Sequence, residues 1–265
     1  MKLKGSKGKF ALALIAVSIV TAHTVTSFIV IFAERTNSSA NMFVPFSWFY
    51  LLTIALIYSY VMSRPKDFNS KSRVAYNKKA HIYDETFDGR FTLKFKRILC
   101  DNIALNDNDS VLDVACGNGS LLHELSKAKT IGVYGVDVSE EMIKAASAKY
   151  PLMEFQVAGC EKLPFDDGSM DIITVSAAYH HFPDVDSFAG EAERVLKSGG
   201  VLYIADVHLH WLLRFILNPF VPLSRAGDVR FYSPDEIVRT FTKRSFKPVG
   251  VKEEGRIQLV VQKRS

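Results

Sequence analysis

Cysteine is scarce in this chain. There are three, Cys100, Cys116 and Cys160, and none stands at a paired metal-ligand spacing. That excludes a disulfide framework and a cysteine zinc module. It suits a reducing compartment, with each thiol a small buried residue. No metal is expected. Excess charge is scarce too, a formal +5 over 265 residues. Much of it lies near the N-terminus, so it reads as membrane topology and excludes a nucleic-acid footprint.

Charge is wholly missing from two long stretches, the 24 residues Phe10–Ala33 and the 21 residues Met42–Met62. Each could cross a hydrocarbon core of roughly 30 Å as a helix. A cleaved signal peptide competes for the first run. That run exceeds an ordinary signal core, and a second follows at once. Lys2, Lys4, Lys7 and Lys9 precede the first run. Arg64, Lys66, Lys71, Arg73, Lys78 and Lys79 follow the second, and the link 34–41 has only Arg35. Basic residues stay on the cytoplasmic side. The expectation is an integral membrane protein with two spans, about 10–33 and 42–62, and with both termini and the main domain cytoplasmic. Residues 1–63 form the anchor, 64–74 a basic linker and 75–265 the main domain. His23, mid-span, reads as a hydrogen bond to the partner helix. Asn37-Ser38-Ser39 fits a glycosylation pattern but sits tight against both spans.

A third glycine is also missing where one class of nucleotide site needs it. Val111, Leu112, Val114 and Ala115 read as a buried parallel strand, Gly117 and Gly119 as a turn, and Leu121–Leu125 as a helix start. Such a turn brings a ligand against bare backbone N–H groups at a helix N-terminus. The dinucleotide fingerprint wants Gly-x-Gly-x-x-Gly, and its third position here is Leu122. Asp113 lies just before the glycines, where a carboxylate suits a cationic ligand better than a pyrophosphate. Asp137 ends the second strand, 24 residues on, and can accept from ribose hydroxyls.

The stretch Val111–Ser120 resembles the first motif of class I S-adenosylmethionine-dependent methyltransferases. The resemblance continues through Val136–Met142, Glu161–Phe165, Asp171–Asp184 and Glu193–Gly200. It looks like the branch that includes the ubiquinone/menaquinone and other small-molecule methyltransferases, and it covers roughly residues 75 to 263. The resemblance implies S-adenosyl-L-methionine as cofactor. It assigns Asp113 to the methionine end or the glycine loop, Ala115, Gly117 and Gly119 to backbone approach, and Asp137 to the ribose. Val138 and Met142 would pack on adenine, the Cys160 N–H would serve its ring, and Ala177 would face the methyl. For Asp137 the competing role is a cap on the next helix, which Ser139 could supply. Relatives often carry an aspartate where Gly159 stands, and Glu161 could reach in for it. Ala80-His81-Ile82-Tyr83-Asp84 matches a segment the family lays over the cofactor. Tyr83 reads equally as an exposed turn. His180 and His181 follow the fourth strand and are candidate general bases. One of them could instead only brace the loop.

Strands are expected near 110–115, 131–138, 154–158, 170–177 and 201–206. Helices are expected near 90–104, 119–127, 140–149 and 187–196. Ser233-Pro234-Asp235-Glu236 is a capping-box start, and Phe246–Val251 and Ile257–Lys263 pair around Glu253–Gly255. The fold expected is α/β: a Rossmann-like doubly wound sheet, mostly parallel with an antiparallel C-terminal strand, preceded by two transmembrane helices. Leu209–Leu217 is apolar but too short to span. It reads either as a buried helix or as an interfacial lid with Trp211 and Phe215 in lipid. The function expected is methyl transfer to a small, membrane-associated acceptor: a lipid, quinone precursor or phospholipid headgroup. Two alternatives stay open. A nucleotide-dependent oxidoreductase is opposed by the missing glycine and the antiparallel tail. A non-catalytic, membrane-tethered nucleoside-binding protein is favoured only by Gly159. Nothing in the sequence fixes an oligomeric state.

Overall fold

The structure is a computed structural model that describes residues 43–63 and 66–265. Two compact units divide it, with the boundary between Lys66 and Asp67. In the first, helix α1 spans Phe43–Met62. Its side chains are described over 52–61. Among the described residues, no helix is long and apolar enough to cross a membrane. The expected pair of transmembrane helices is therefore not met there. The span expected at 10–33, His23 and Asn37-Ser38-Ser39 lie outside the described residues.

The second unit begins with a correction. The stretch read as a linker carries helix α2, Phe68–Asn77, whose N-cap Asp67 accepts from the Ser70 N–H. A 3-10 turn over Ala80–Glu85 leads into α3, Phe87–Asn102. Strand and helix then alternate: β1 (Ser110–Val114), α4 (Ser120–Ala128), β2 (Gly132–Asp137), α5 (Glu140–Lys149), β3 (Glu154–Val157), β4 (Met170–Ser176), α6 (Val185–Val195) and β5 (Leu196–Val207). Helices α7 (Trp211–Leu217) and α8 (Pro234–Thr242) precede the closing hairpin, β6 (Phe246–Glu254) and β7 (Ile257–Arg264). The capping box at Ser233 and Glu236 forms as expected.

The sheet runs β3-β2-β1-β4-β5-β7-β6. Strands β1 to β5 are parallel, and β7 lies antiparallel between β5 and β6. Alternation along each strand divides the core. Leu112, Val114, Ile173 and Val175 pack with Phe188 of α6 and Phe241 of α8. Val111 and Ile172 pack on the other side with Phe95 and Leu99 of α3 and Leu121 of α4. Asp113 shares the parity of Val111, so the pleat turns it toward α3 and α4. Not every thiol is buried as expected: Cys116 and Cys160 are, whereas Cys100 on α3 is exposed.

Candidate active site

The chain winds outward from β1 through β2 to β3, then returns to place β4 against the other side of β1. Ligand crevices open beyond the strand C-termini at such a reversal. A cleft of about 680 Å³, counting its mouth, opens there. Its walls include residues just past β1 (Ala115, Gly117), β2 (Asp137, Val138), β3 (Ala158) and β4 (Ala177, His181). Met142 and Cys160 also line it. Of the anticipated cofactor residues, only Asp113 and Gly119 do not.

Backbone geometry explains the loop. Gly117 has φ 54° and Gly119 φ 74°. A Cβ at Gly117 would meet nothing within 4 Å, whereas one at Gly119 would stand 2.6 Å from the Phe155 ring. Gly117 thus keeps the cleft open, and Gly119 lets the start of α4 close onto β3. Ala115 and Ala177 also hold positive φ, 61° and 52°. Two alanines in a glycine-like conformation at one cleft mark strain kept at a working surface.

Asp137 organises the loop. Its Oδ2 accepts from the Gly117 N–H at 2.9 Å and its Oδ1 from the Ser139 N–H at 2.8 Å. The cap on α5 comes from Ser139, whose hydroxyl accepts from the Met142 N–H. Each Asp137 oxygen keeps a further lone pair for a ligand hydroxyl. Burial raises the Asp137 pKa, and the backbone N–H bonds pull against that rise.

Asp113 serves the fold behind the cleft. Its Oδ1 accepts from Thr174 Oγ1 at 2.7 Å across the β1–β4 register. Burial pushes its pKa up to about 7, against the pull of Thr174 and of Lys96 on α3.

The chain N-terminal to β1 supplies the cover. Asn69, Ser72, Tyr76 and Tyr83 line the cleft. Tyr83 is buried, so the exposed-turn reading does not hold for it. Asp84 ties this cover to the glycine loop: Asn118 Nδ2 donates to it at 2.7 Å and Lys149 Nζ at 3.1 Å. A side opening shares Asn69, Val138 and Ala158 with the cleft and reaches Gly159. There the Asn69 amide donates to Glu161 Oε1 at 2.9 Å.

The two histidines part company. His181 lines the cleft, and its Nε2 is 3.1 Å from the Tyr76 hydroxyl. Burial, with His180 adding to it, lowers the His181 pKa, so its imidazole is neutral at pH 7. His180 stands behind it, away from the cleft lining. Asp206 accepts from the His180 N–H at 2.9 Å and lies 2.6 Å from Nδ1. Burial disfavours the His180 cation, but Asp206 outweighs it and the pKa is raised. Asp228 lies 3.1 Å from His181 Nδ1.

Sequence reasoning missed Tyr76, Asn69, Asp206 and Asp228. Asp206 was the findable one, an acidic residue at the C-terminal end of a parallel strand. Asn69 and Tyr76 sit in polar, basic sequence with no motif, and Asp228 sits in a loop with none. His208 and His210 stay outside the cleft: His208 faces Glu253 and His210 caps α7.

Residues 112–204 match a family model described as a methyltransferase domain. The chain is similar to the demethylmenaquinone methyltransferase of Chlorobaculum tepidum, 40% identical over 96 residues, which are 36% of this chain and 40% of that protein. It therefore spans about two fifths of that relative's length. It is similar at greater length to the ubiquinone/menaquinone biosynthesis C-methyltransferase UbiE of Citrifermentans bemidjiense. There identity is 33% over 172 residues, 58% of this chain and 73% of that one. In fold it resembles a chain of the complex between the Haloferax volcanii Trm112 methyltransferase activator and a methyltransferase. The TM-score is 0.63 at 19% identity, covering 73% of this chain and 97% of that one.

Proposed function

This chain belongs to the S-adenosylmethionine-dependent methyltransferases, and from that premise we propose that it methylates a small, quinone-related acceptor held at a membrane surface. The cleft fits the family's cofactor on three counts. The Gly117 Cβ position is open space. The Ser176 hydroxyl is buried at the cleft wall with no protein partner. Asp137 is an acidic group beside the loop, suited to a nucleoside that carries a cationic sulfonium. When bound, S-adenosylmethionine supplies an already activated methyl group.

The chain's own task is then positioning. Gly117 presents backbone to the methionine end, and Asp137 accepts from the ribose. Val138 and Met142 flank the adenine, and the Cys160 N–H meets its ring. Glu161 stands in for the aspartate absent at 159. Tyr76 and Tyr83 shut out water from above. An acceptor hydroxyl or acidic carbon must lose a proton, and His181, neutral and hydrogen-bonded to Tyr76, is built to take it. His180 is a positioning residue, with its ring orientation set by Asp206.

The observation that carries the acceptor assignment is α7. It has no buried residue. Trp211 is 64% exposed and Phe215 76%. The buried-helix alternative therefore fails for it. An exposed apolar helix with aromatic residues suits an interface where lipid acceptors enter. The uncharged stretch 10–33 and the basic residues that flank it support a membrane location, with the catalytic unit on the cytoplasmic side. The names of the relatives support a quinone-type acceptor.

The test is transfer of tritiated methyl from S-adenosylmethionine to a demethylmenaquinol and to a total lipid extract. Label in the quinone fraction, lost in His181→Ala, supports the proposal. Label only in the phospholipid fraction would redirect it to another acceptor. No label, with cofactor binding intact, would refute catalysis on lipids.

A further inference from the structure

His180, His181 and Asp228 form a group that methyl transfer does not fully explain. Each offers one ligand atom, and the three atoms lie within 4.8 Å of one another. The other nitrogen of each imidazole is already engaged. His180 Nδ1 is 2.6 Å from Asp206 Oδ1, which leaves Nε2 facing Asp228 at 3.7 Å. His181 Nε2 is 3.1 Å from the Tyr76 hydroxyl, which leaves Nδ1 facing Asp228 at 3.1 Å. That Nδ1 is buried and completes no hydrogen bond. Metal-binding histidines are held in this way, the distal nitrogen tied to a carboxylate or hydroxyl so that the proximal one is aimed.

We propose that His180 Nε2, His181 Nδ1 and an Asp228 carboxylate oxygen form a facial site for one divalent first-row transition ion. Two imidazoles and one carboxylate are the donor set such ions take with open positions left over. At metal–ligand distances of about 2.0–2.2 Å the donors must stand roughly 3–3.5 Å apart, so the widest pair, within 4.8 Å, closes by up to about 1.3–1.8 Å on loading. Asp228 follows Gly227, which holds φ 83° in the 226–231 loop, and its side chain is 21% exposed, so an ion can enter from solvent. His181 brings the site to the wall of the cleft. The open positions would bind the oxygen of a phenolic or hydroquinone acceptor. That use rests on the function proposed above; the binding does not. In the loaded protein His181 would be a ligand through Nδ1 with its Nε2–H toward Tyr76, so it would no longer be the base; the ion would ease loss of the acceptor's proton by lowering its pKa instead.

The test is titration of Co²⁺ into the untagged full chain, read by visible absorption, with Zn²⁺ retention by equilibrium dialysis alongside. One equivalent with a ligand-field band is expected. Asp228→Ala and His180→Ala should each weaken binding at least tenfold, and Asp206→Asn about tenfold through the orientation it gives His180. His210→Ala should leave it unchanged. S-adenosylhomocysteine binding, read on every variant, shows that the fold persists. No band and no Zn²⁺ retention by the wild type overturns the site, as does binding that survives Asp228→Ala. Full methyl transfer by chelated protein overturns the acceptor role while leaving the function proposed above intact. Loss of transfer that Co²⁺ restores supports it.

Discussion

The carboxylate of Glu161 lies 2.6 Å from the point where a side chain on Gly159 would begin. A glutamate two residues on thus fills the space beside Gly159, and Asn69 fixes it there by donating to its other oxygen. A Cβ at 159 would push that carboxylate aside.

Removing Glu161 should therefore cost cofactor affinity, although 161 is not the family's position. Glu161→Ala should weaken S-adenosylhomocysteine binding by about 1.5–3 kcal/mol, the range for a hydrogen bond to a charged group. Glu161→Gln should recover part of it. Calorimetry decides, and unchanged affinity in Glu161→Ala would remove the substitution argument.

The two loop glycines should fail in different ways. Gly119→Ala drives a methyl into the Phe155 ring at positive φ, so stability should fall by about 2–4 kcal/mol, from overpacking and left-handed strain together. Gly117→Ala meets no neighbour, so it should lose about 1–2 kcal/mol to strain alone. Its methyl should still weaken cofactor binding. Melting curves and calorimetry on the pair separate the two.

Asp113 should make stability fall with rising pH. Its pKa moves from 3.8 to about 7 on folding, so the folded chain holds a proton that the unfolded chain has already lost. The group's contribution is complete below about pH 4 and is lost as pH rises through 7. The loss is at most about 4 kcal/mol. Asp113→Asn should flatten this slope, gaining on the wild type between pH 5 and pH 8. Denaturant midpoints at those two pH values check it, and parallel slopes would contradict it.

Helix α7 should report on lipid. In a Trp48→Phe background, Trp211 emission should shift to the blue when vesicles are added to the catalytic unit in its full chain. Phe215→Ser should reduce the shift. Emission indifferent to vesicles would contradict the interfacial reading.

Much of this was legible because it rests on short-range rules. The β1 turn, the Asp137 strand end and the Ser233 capping box each depend on neighbours in sequence. Asp113 lies behind the cleft because the alternation that faces it toward α3 is set by which side Leu112 and Val114 bury. The motif does not carry that choice. The cover over the cleft was missed for a related reason. Nothing in Phe68–Asn77 codes for a cleft wall; the role comes from packing on α5 and on the loop around Ala226. Tyr76 and His181 meet across 105 positions, and no local pattern encodes such a pair.

The most direct test of the account is calorimetric titration of S-adenosylhomocysteine into the full chain, repeated with Asp137→Ala. The account predicts one site per chain, with affinity lowered at least tenfold in the variant, because Asp137 holds the Gly117 N–H and, in the function proposed, accepts from the ribose. A folded wild type that binds nothing, or a variant that binds as well as the wild type, would contradict it.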